Sequence, residues 1–195
     1  MDIVEIANSG FIKIGAEQIM AFTDDSKEGR LASLRFRPDL RTVLRWHPWN
    51  TVVERVVLAP LLTIPPYDFT HWFQLPSDML RLLEVQDQDD YRIEGRRLLS
   101  DSTTENIKYI KDPGDSVNEL DQLCAEAIAT YFAWDVSYAI TQSRTLKEQM
   151  FGEFQAIFRH AKSVDAKEDP ALLIGADQWV DSRTNPASFQ GRTNR

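Results

Sequence analysis

The C-terminal half of the chain contains two long helical segments separated by a short link, and this feature constrains the fold most. Ser116 with Glu119, and Thr145 with Glu148, have the spacing of capping boxes, so we expect helices to begin there. Apolar residues then recur at three- and four-residue steps: Leu120, Leu123, Cys124, Ala127, Ile128, Tyr131, Trp134 and Tyr138 in the first helix, and Leu146, Met150, Phe154, Ile157, Phe158 and Ala161 in the second, to about residue 168. Because the link is short, the two helices should pack as an antiparallel pair.

The N-terminal part also shows helical periodicity. Residues 3 to 20 predict a first amphipathic helix, with Gly15 as its weak point. Residues 27 to 46 predict a second helix, and Pro38 inside it should kink the helix or split it in two. The break at His47 and Pro48 should end this helix.

The middle of the chain is typical of β structure. Residues 51 to 57 are rich in β-branched residues and favour a strand, although Thr51 and Glu54 have capping-box spacing that would suit a helix start. Three short apolar pieces, LRLLEV, YRIEGRRLLS and IKYI, lie between residues 80 and 110 and predict an antiparallel meander. Gly95 supplies the positive φ that a tight hairpin needs.

These segments predict an α+β fold. Residues 1–48 and 116–168 should form a helical bundle, and residues 49–115 should form an inserted region with a small antiparallel β-sheet. Residues 169–195 lose the helical period and contain scattered Gly, Pro and Asn, so we expect an extended C-terminal tail.

Charge and cysteine content exclude several classes of function. The 195-residue chain has a net charge of -8, so it should not attract nucleic acid electrostatically. The lone Cys124 allows no intrachain disulfide, and with His47, His71 and His160 it makes no zinc framework. The N-terminus has no basic leader, and no apolar run is long enough to span a bilayer. We therefore expect a soluble protein from a reducing compartment.

A search for catalytic residues predicts no enzyme and no cofactor or metal. The chain has no glycine-rich nucleotide fingerprint and no Gly-Lys-Ser/Thr loop. Cys124 lies on an apolar helical face, which favours a buried structural thiol over a nucleophile. His47 has no metal-ligand spacing to a second histidine or carboxylate, which favours a hydrogen-bonded residue at a helix end. A glycosidase-type carboxylate pair stays open in a chain with 30 acidic residues.

Arginine and aromatic residues are more informative. Arg37, Arg41 and Arg45 form an i, i+4, i+8 stripe, which either faces an acidic neighbouring surface or is an ordinary solvated face. The tryptophans and tyrosines exceed what a core of this size needs. Arginine and aromatic residues are both enriched at protein interfaces. We therefore take the three arginines as candidates for a subunit interface.

The order of motifs resembles a known family. LRWHPWN, QLPSDMLRLLEV, YRIEGRRLLSD, IKYI and DSVNELDQLCAEAIA together resemble the tail tubular protein A family, the head-to-tail adaptors of tailed bacteriophages. The resemblance covers the chain from the first helix to about residue 168. Its anchors are structural: Trp49, Leu75-Pro76, Asp78, Arg81, Glu94-Gly95 and Tyr109-Ile110.

This resemblance implies a structural role in the virion. It implies a homo-oligomeric ring of about twelve copies at the head–tail junction, bound to the portal protein and to a tail nozzle or tail tube protein, and made in the host cytoplasm. Genomic DNA would pass through the ring without specific binding, and no membrane is involved. Two alternatives stay open: a tail-associated cell-wall hydrolase, and a neck stopper or head-completion protein that seals the channel.

Two segments receive specific roles in this interpretation. Residues 75–78 are expected to be a hinge that sets the β region against the helical body, with Phe69, Trp72 and Phe73 packed behind it. The C-terminal tail is expected to be a portal-docking arm, because its apolar residues have no local partners. A tail without function is the alternative. The predicted docking residues are Leu172, Leu173, Ile174, Trp179, Arg183, Phe189 and Arg192.

Overall fold

The computed structural model describes residues 1–86 and 90–168 and confirms the α+β class. The helices are α1 (Ile3–Lys13), α2 (Lys27–Trp46), α3 (Gln122–Thr141) and α4 (Arg144–Glu168). The strands are β1 (Val53–Leu58), β2 (His71–Gln74), β3 (Met79–Val85), β4 (Arg92–Glu94), β5 (Arg97–Ser100) and β6 (Glu105–Lys111), and short 3₁₀ turns precede β1 and α3 at Asn50–Val52 and Val117–Glu119. These six strands lie between α2 and α3 in the sequence.

Helix α1 is shorter than the periodicity predicts. It begins at a capping box in which Asp2 caps the first turn and the side chain of Glu5 reaches back to the Asp2 backbone. It ends at Lys13, because Gly15 takes a φ of 69° that is incompatible with a continuing helix. The apolar residues after Gly15 therefore belong to the loop that leads to α2.

Helix α2 continues through Pro38, so the predicted split is wrong. Ser26 caps its N-terminus by accepting a hydrogen bond from the Gly29 N–H. The hydroxyl of Thr42 donates to the Pro38 carbonyl within the helix. The predicted break at His47 is confirmed, since this residue has extended backbone angles.

The starts of α3 and α4 differ from the predicted capping boxes. Ser116 makes no side-chain cap, and α3 begins after Asp121, whose carboxylate accepts from the N–H groups of Leu123 and Cys124. At α4 the hydroxyl of Ser143, not Thr145, accepts from the Leu146 N–H. In both cases a better-placed side chain accepts hydrogen bonds from the free N–H groups of the first turn.

The predicted helical hairpin is confirmed. Trp134 contacts Phe151 at 5.2 Å between ring centroids, and Tyr131 contacts Phe154 at 5.1 Å, so α4 runs antiparallel to α3. Helix α3 is the centre of the bundle, because it packs against α1, α2 and α4 together. Its buried residues therefore extend around most of the helix, beyond the single stripe that periodicity predicts.

The β region consists of two three-stranded antiparallel sheets, so the predicted single meander is wrong. One sheet has the order β1-β6-β3 and the other has the order β2-β5-β4. The predicted strand at β1 is confirmed, as is the β4–β5 hairpin, in which Gly95 has a φ of 59°. Strand β3 pairs with β6, not with β4, because Val85 is opposite Ile107 in a ladder that places both side chains in one core.

Two hydrophobic cores result. The helical core contains the fully buried Phe11, Phe36, Trp49 and Phe132, and Ile110 of β6 belongs to it. The smaller β core lies between the sheets and contains Leu58, Phe73, Leu75, Val85, Leu98, Ile107 and Tyr109. Residues 75–78 join β2 to β3, so they connect the two sheets, and the predicted hinge between the β region and the helical body is wrong.

Candidate interaction surfaces

The predicted arginine stripe faces the β region of its own chain. It lies on α2, opposite the loop that follows β6 and one end of β3. Its contacts are an ion pair of Arg37 with Asp115, an ion pair of Arg41 Nε with Asp112 Oδ2 at 2.7 Å, and a hydrogen bond from Arg45 Nη1 to the Leu80 carbonyl at 2.9 Å. The stripe thus faces an acidic surface, and that surface is intramolecular. Its role in a subunit interface stays a prediction.

A reciprocal hydrogen bond strengthens this junction. Arg81 Nη1 of β3 donates to the Arg45 carbonyl at 2.8 Å, in the last turn of α2. A helix leaves its last carbonyl groups without intrahelical partners, and a guanidinium is a strong donor to them. Each of the two elements, α2 and β3, therefore donates an arginine hydrogen bond to a backbone carbonyl of the other.

A second junction surrounds Asp165, near the end of α4. His47 Nε2 lies 2.8 Å from Asp165 Oδ2, and the Asn50 N–H donates to Asp165 Oδ1 at 3.0 Å. The Asn50 side chain also donates to the Asp165 carbonyl at 3.0 Å. Asp165 is buried, so these hydrogen bonds replace its water. The predicted role of His47 as a hydrogen-bonded residue at a helix end is confirmed.

The junction also contains a tryptophan. Trp49 is fully buried, and its ring packs edge-on against His47 at 4.8 Å and against Phe158 of α4 at 5.8 Å. The α2–β1 connection is therefore fixed to α4 by packing as well as by hydrogen bonds.

Among the described residues, the buried carboxyl groups Asp39 and Glu105 do not form an accessible reactive site. Burial and, to a lesser extent, the charge of Asp135 raise the pKa of Asp39, Arg35 lowers it, and the net result is a pKa of about 7. Arg35 Nε contacts Asp135 at 2.6 Å, and its guanidinium also lies 3.5 Å from Asp39. Asp39 is only 2% exposed, so a glycan cannot reach this carboxylate pair. Glu105 is likewise buried, and its two carboxylate oxygens have no hydrogen-bond partner among the described residues.

Cys124 is a buried structural thiol, as predicted. It is fully buried in the helical core, and burial raises its pKa above the ordinary range. A thiolate is therefore disfavoured at neutral pH. Within residues 1–86 and 90–168, no three His, Cys, Asp or Glu side chains lie close enough to hold a metal ion. The expectation of a non-enzymatic protein stays a prediction.

An aromatic cleft lies where α3 turns into α4. It has a volume of about 500 Å³ and is lined by Trp134, Tyr138, Arg144, Lys147, Glu148 and Phe151, which we call the helical cleft. The Nζ atom of Lys147 lies 5.1 Å from the centre of the Trp134 ring, a cation–π contact. Tyr138 and Phe151 are 40% and 38% exposed. The cleft continues an aromatic cluster that fills the α3–α4 seam down to Trp46.

The connection between β1 and β2, residues 59–70, carries a second apolar surface, which we call the apical loop. Leu62, Ile64 and Tyr67 are 103%, 72% and 69% exposed. These three side chains belong to one short loop, and contiguous exposed apolar patches mark interaction sites. The sequence signal for this loop is the set Pro60, Pro65 and Pro66 among apolar residues, and the sequence analysis gave no role to Leu62, Ile64 and Tyr67.

The predicted docking arm lies outside the described residues. This holds for Leu172, Leu173, Ile174, Trp179, Arg183, Phe189 and Arg192. Their role stays a prediction.

Comparisons with known proteins identify no family for this chain. No protein-family model matches the sequence. A search of curated proteins also finds no match. In the part of the chain that the structure describes, no helix is both long and apolar enough to cross a membrane.

Proposed function

We propose that this protein is a structural head-to-tail adaptor of a tailed bacteriophage. Copies of the chain form a ring between the portal and the tail nozzle or tail tube, and the ring continues the DNA channel at the head–tail junction of the virion. The subunit acts as a rigid connecting piece and carries out no chemistry.

The placement of the residues that carry the family resemblance supports this proposal. Trp49, Leu75 and Tyr109 are buried core residues, and Gly95 forms a hairpin turn. Such positions fix the shape of a subunit. They are the kind of positions on which a structural family depends.

One observation carries the proposal: a subunit with fixed internal junctions exposes two separate apolar surfaces. The arginine stripe and Asp165 hold the β region to the helical body. The exposed apical loop connects β1 to β2, and the helical cleft lies where α3 turns into α4. Exposed aromatic and aliphatic side chains of this kind are enriched in protein interfaces, so both surfaces are suited to contacts between subunits.

The charge of the chain fits a DNA channel. Each copy has a net charge of -8, and a ring multiplies this charge. A channel with an acidic wall repels phosphate, so DNA can move through it without binding. The C-terminal residues named above remain our candidates for the portal contact, and Arg183 and Arg192 could pair there with acidic groups.

Inactivating the gene in the phage that encodes this chain tests the function. We expect DNA-filled heads and separate tails, because nothing joins the two structures. Purified full-length protein added to the heads should restore tail attachment and infectivity. Electron microscopy and plaque counts measure both outcomes.

Three other outcomes would contradict the proposal. Complete particles that attach to cells but fail to penetrate the wall would favour the hydrolase, and peptidoglycan release by the purified protein would confirm that reading. Heads that lose their DNA, while purified protein retains it without promoting tail attachment, would favour the stopper. Fully infectious particles made without the protein would show that the head–tail junction does not require it.

A further inference from the structure

We propose that the outer side of α4 in one copy packs against the outer side of α1 in the next copy. This inference names a contact within the ring proposed above and rests on it. The partner of α4 is thus an acidic helix of a second copy of this chain, and the contact joins two different surfaces.

The outer side of α4 forms a continuous exposed surface, which we call the basic face. At 3.6 residues per turn it lies opposite the buried Phe154 and Ala161. The face consists of Gln149, Gly152, Gln155, Ala156, Arg159, His160, Ser163, Ala166 and Lys167. It contains Arg and Lys but no carboxylate, although the chain as a whole has a net charge of -8.

The cations of the basic face are unpaired among the described residues. The two acids within this stretch of α4 are engaged elsewhere, because Glu153 forms an ion pair with Lys13 and Asp165 is buried in the junction described above. Neither Arg159 nor Lys167 forms an ion pair in the part of the chain that the structure describes. A surface of this kind attracts an acidic partner.

Helix α1 and the loop that follows it carry a complementary surface, which we call the acidic face. It consists of the exposed residues Asp2, Glu5, Ile12, Glu17 and Met20. Within residues 2–20 the single Lys or Arg is Lys13, which is already paired with Glu126 and Glu153. The three acids of the face form no ion pair with a Lys or Arg of the described chain.

The acidic face also exposes apolar side chains that a partner can bury. Ile12 and Met20 are 59% and 91% exposed. On the basic face, Gly152 and Ala156 are small, and a Cβ added to Gly152 would meet no neighbouring atom within 4 Å. Large side chains can therefore approach the α4 backbone closely. The hydrophobic effect favours burial of Ile12 and Met20 there, while the charges fix the register.

This combination favours a protein partner of the basic face over DNA. Phosphate groups would satisfy Arg159 and Lys167, but they would leave Ile12 and Met20 uncovered. The net charge of -8 also repels a duplex. The acidic face of a second copy satisfies both the cations and the apolar side chains.

The two faces of one chain point in different directions, so they cannot meet each other. Helix α1 packs against α3 at Ala129 and Phe132, whereas α4 packs against α3 at Tyr131 and Trp134. Ala129 and Tyr131 are about 200° apart around a helix of 3.6 residues per turn. Both faces are turned away from α3, because the buried sides of α1 and α4 contact it. Their contact therefore joins different copies.

A contact between two different surfaces propagates from copy to copy and closes into a ring when the rotation permits. With the acidic face on one side of α3 and the basic face on another, each copy can bind two neighbours. Because exposed charges contribute to the contact, rising salt should weaken self-association.

Charge reversal tests the contact. One variant combines Arg159→Glu with Lys167→Glu, and a second combines Glu5→Lys with Glu17→Lys. Each variant alone should weaken self-association at least about tenfold, because like charges then face each other. An equimolar mixture should recover assembly, because each reversed face then meets the opposite charge on the other variant. Mass in solution measures this under the conditions in which wild type forms the ring.

Arg55→Glu combined with Arg97→Glu is the matched control. Both arginines are exposed on strands outside the two faces, and the change in net charge equals that of the reversed basic face. The control should assemble as wild type does, and thermal melting checks that every variant folds. The inference is overturned if the reversed basic face assembles as well as wild type, if the mixture recovers no assembly, or if the control loses as much.

Cross-linking tests the same contact without changing charge. Cys124 is fully buried, so Ile12→Cys and Ser163→Cys each add one accessible thiol. A short bis-maleimide should cross-link a mixture of the two single variants into heterodimers. In the control mixture, Val57→Cys replaces Ile12→Cys, because Val57 is 66% exposed on β1 and belongs to neither face.

Two cross-linking results would contradict the contact. One is a heterodimer no more abundant than in the control mixture. The other is Ser163→Cys alone that cross-links as efficiently as the mixture, because this would indicate a symmetric contact between two α4 helices.

Other partners of the basic face give different results. If the face binds DNA, the variant with Arg159→Glu and Lys167→Glu assembles as wild type does but loses binding to a DNA duplex. If the face binds the portal, the same variant assembles but no longer binds the portal. Either result would replace the second copy as the partner of this face.

The adaptor function is decided separately. If the reversed basic face forms the ring as wild type does, while wild-type protein restores tails to heads, the contact is wrong and the adaptor function stands. If wild-type protein fails to restore tails, the adaptor function is wrong, and cross-linking still decides whether the contact exists.

Discussion

The helical body and the β region differ in how they are stabilised. The body has one continuous core around α3, with large aromatic side chains such as Phe11, Phe36 and Phe132 fully buried and packed edge to face. The β region has a thin core between two small sheets, and all of β4 is exposed. The body should therefore be stable by itself, while the β region depends on its junctions with the body. In a subunit of this kind the helical body can stay rigid, and the less stable β region can serve for assembly.

The largest expected effect comes from Trp49→Ala, which removes a fully buried side chain from the helical core at its border with the β region. We expect a loss of roughly 3 to 5 kcal/mol of unfolding free energy. Urea denaturation followed by far-UV circular dichroism measures it. Unchanged stability would contradict the place of Trp49 in the core.

Phe73→Ala sharpens this comparison, because Phe73 is equally buried but belongs to the β core. It should loosen the β strands while the helices keep their protection. Hydrogen exchange would locate the change. Equal loss of protection in α3 and in the strands would contradict the separation into two cores.

Breaking the Asp165 junction should have the next largest effect. Asp165→Ala leaves His47 and the Asn50 N–H without their acceptor, which should cost about 1 to 3 kcal/mol. Asp165→Asn retains one acceptor oxygen and should cost less. An alanine variant no less stable than the asparagine variant would show that the carboxylate contacts do not stabilise the junction.

Asp39→Asn should stabilise the helical body at alkaline pH. The pKa of Asp39 rises from its ordinary value of 3.8 to about 7 in the folded protein, so between these values the folded state binds a proton that the unfolded state has lost. Stability should therefore fall as pH rises from about 4 to about 7. The variant should therefore be more stable than wild type at pH 8, and the difference should vanish near pH 4.

Melting curves across this pH range test the assignment. Asp25→Asn is the control, because the side chain of Asp25 is 97% exposed. A gain for Asp39→Asn that is the same at all pH values would contradict a titration of this carboxyl group.

The smallest effect on stability is expected for the arginine stripe. Arg41→Ala removes a partly exposed ion pair with Asp112 and should cost less than about 1 kcal/mol. The same variant tests the predicted subunit interface. If the stripe lies in that interface, the variant should fail to form the ring while its melting temperature changes little. Arg30→Ala, which removes an exposed pair with Asp25, is the matched control.

The sequence predicts local features of this fold well. Helix periodicity and strong breakers fix the end of α2 at His47 and the hairpin at Gly95, because these signals act within a few residues. Competing local signals are harder to rank. Asp121 caps α3 although Ser116 and Glu119 have better spacing for a capping box.

Non-local pairing could not be predicted in the same way. Strand β6 pairs with both β1 and β3, because Ile107 must lie in the core between the sheets, and no local pattern specifies those partners. His47 meets Asp165 across 118 positions of sequence. The arginine stripe was recognised as a pattern, but its acidic partners Asp112 and Asp115 become visible only when the chain folds back on α2.

The most direct test of the proposed adaptor function is the mass of the full-length protein in solution, measured alone and with the portal protein of the phage proposed to encode it. We predict an assembly of about twelve times the 22.4 kDa chain, formed alone or on the portal, and a stable complex of that ring with the portal. A chain that stays monomeric at every concentration and does not change the mass of the portal would contradict the adaptor function.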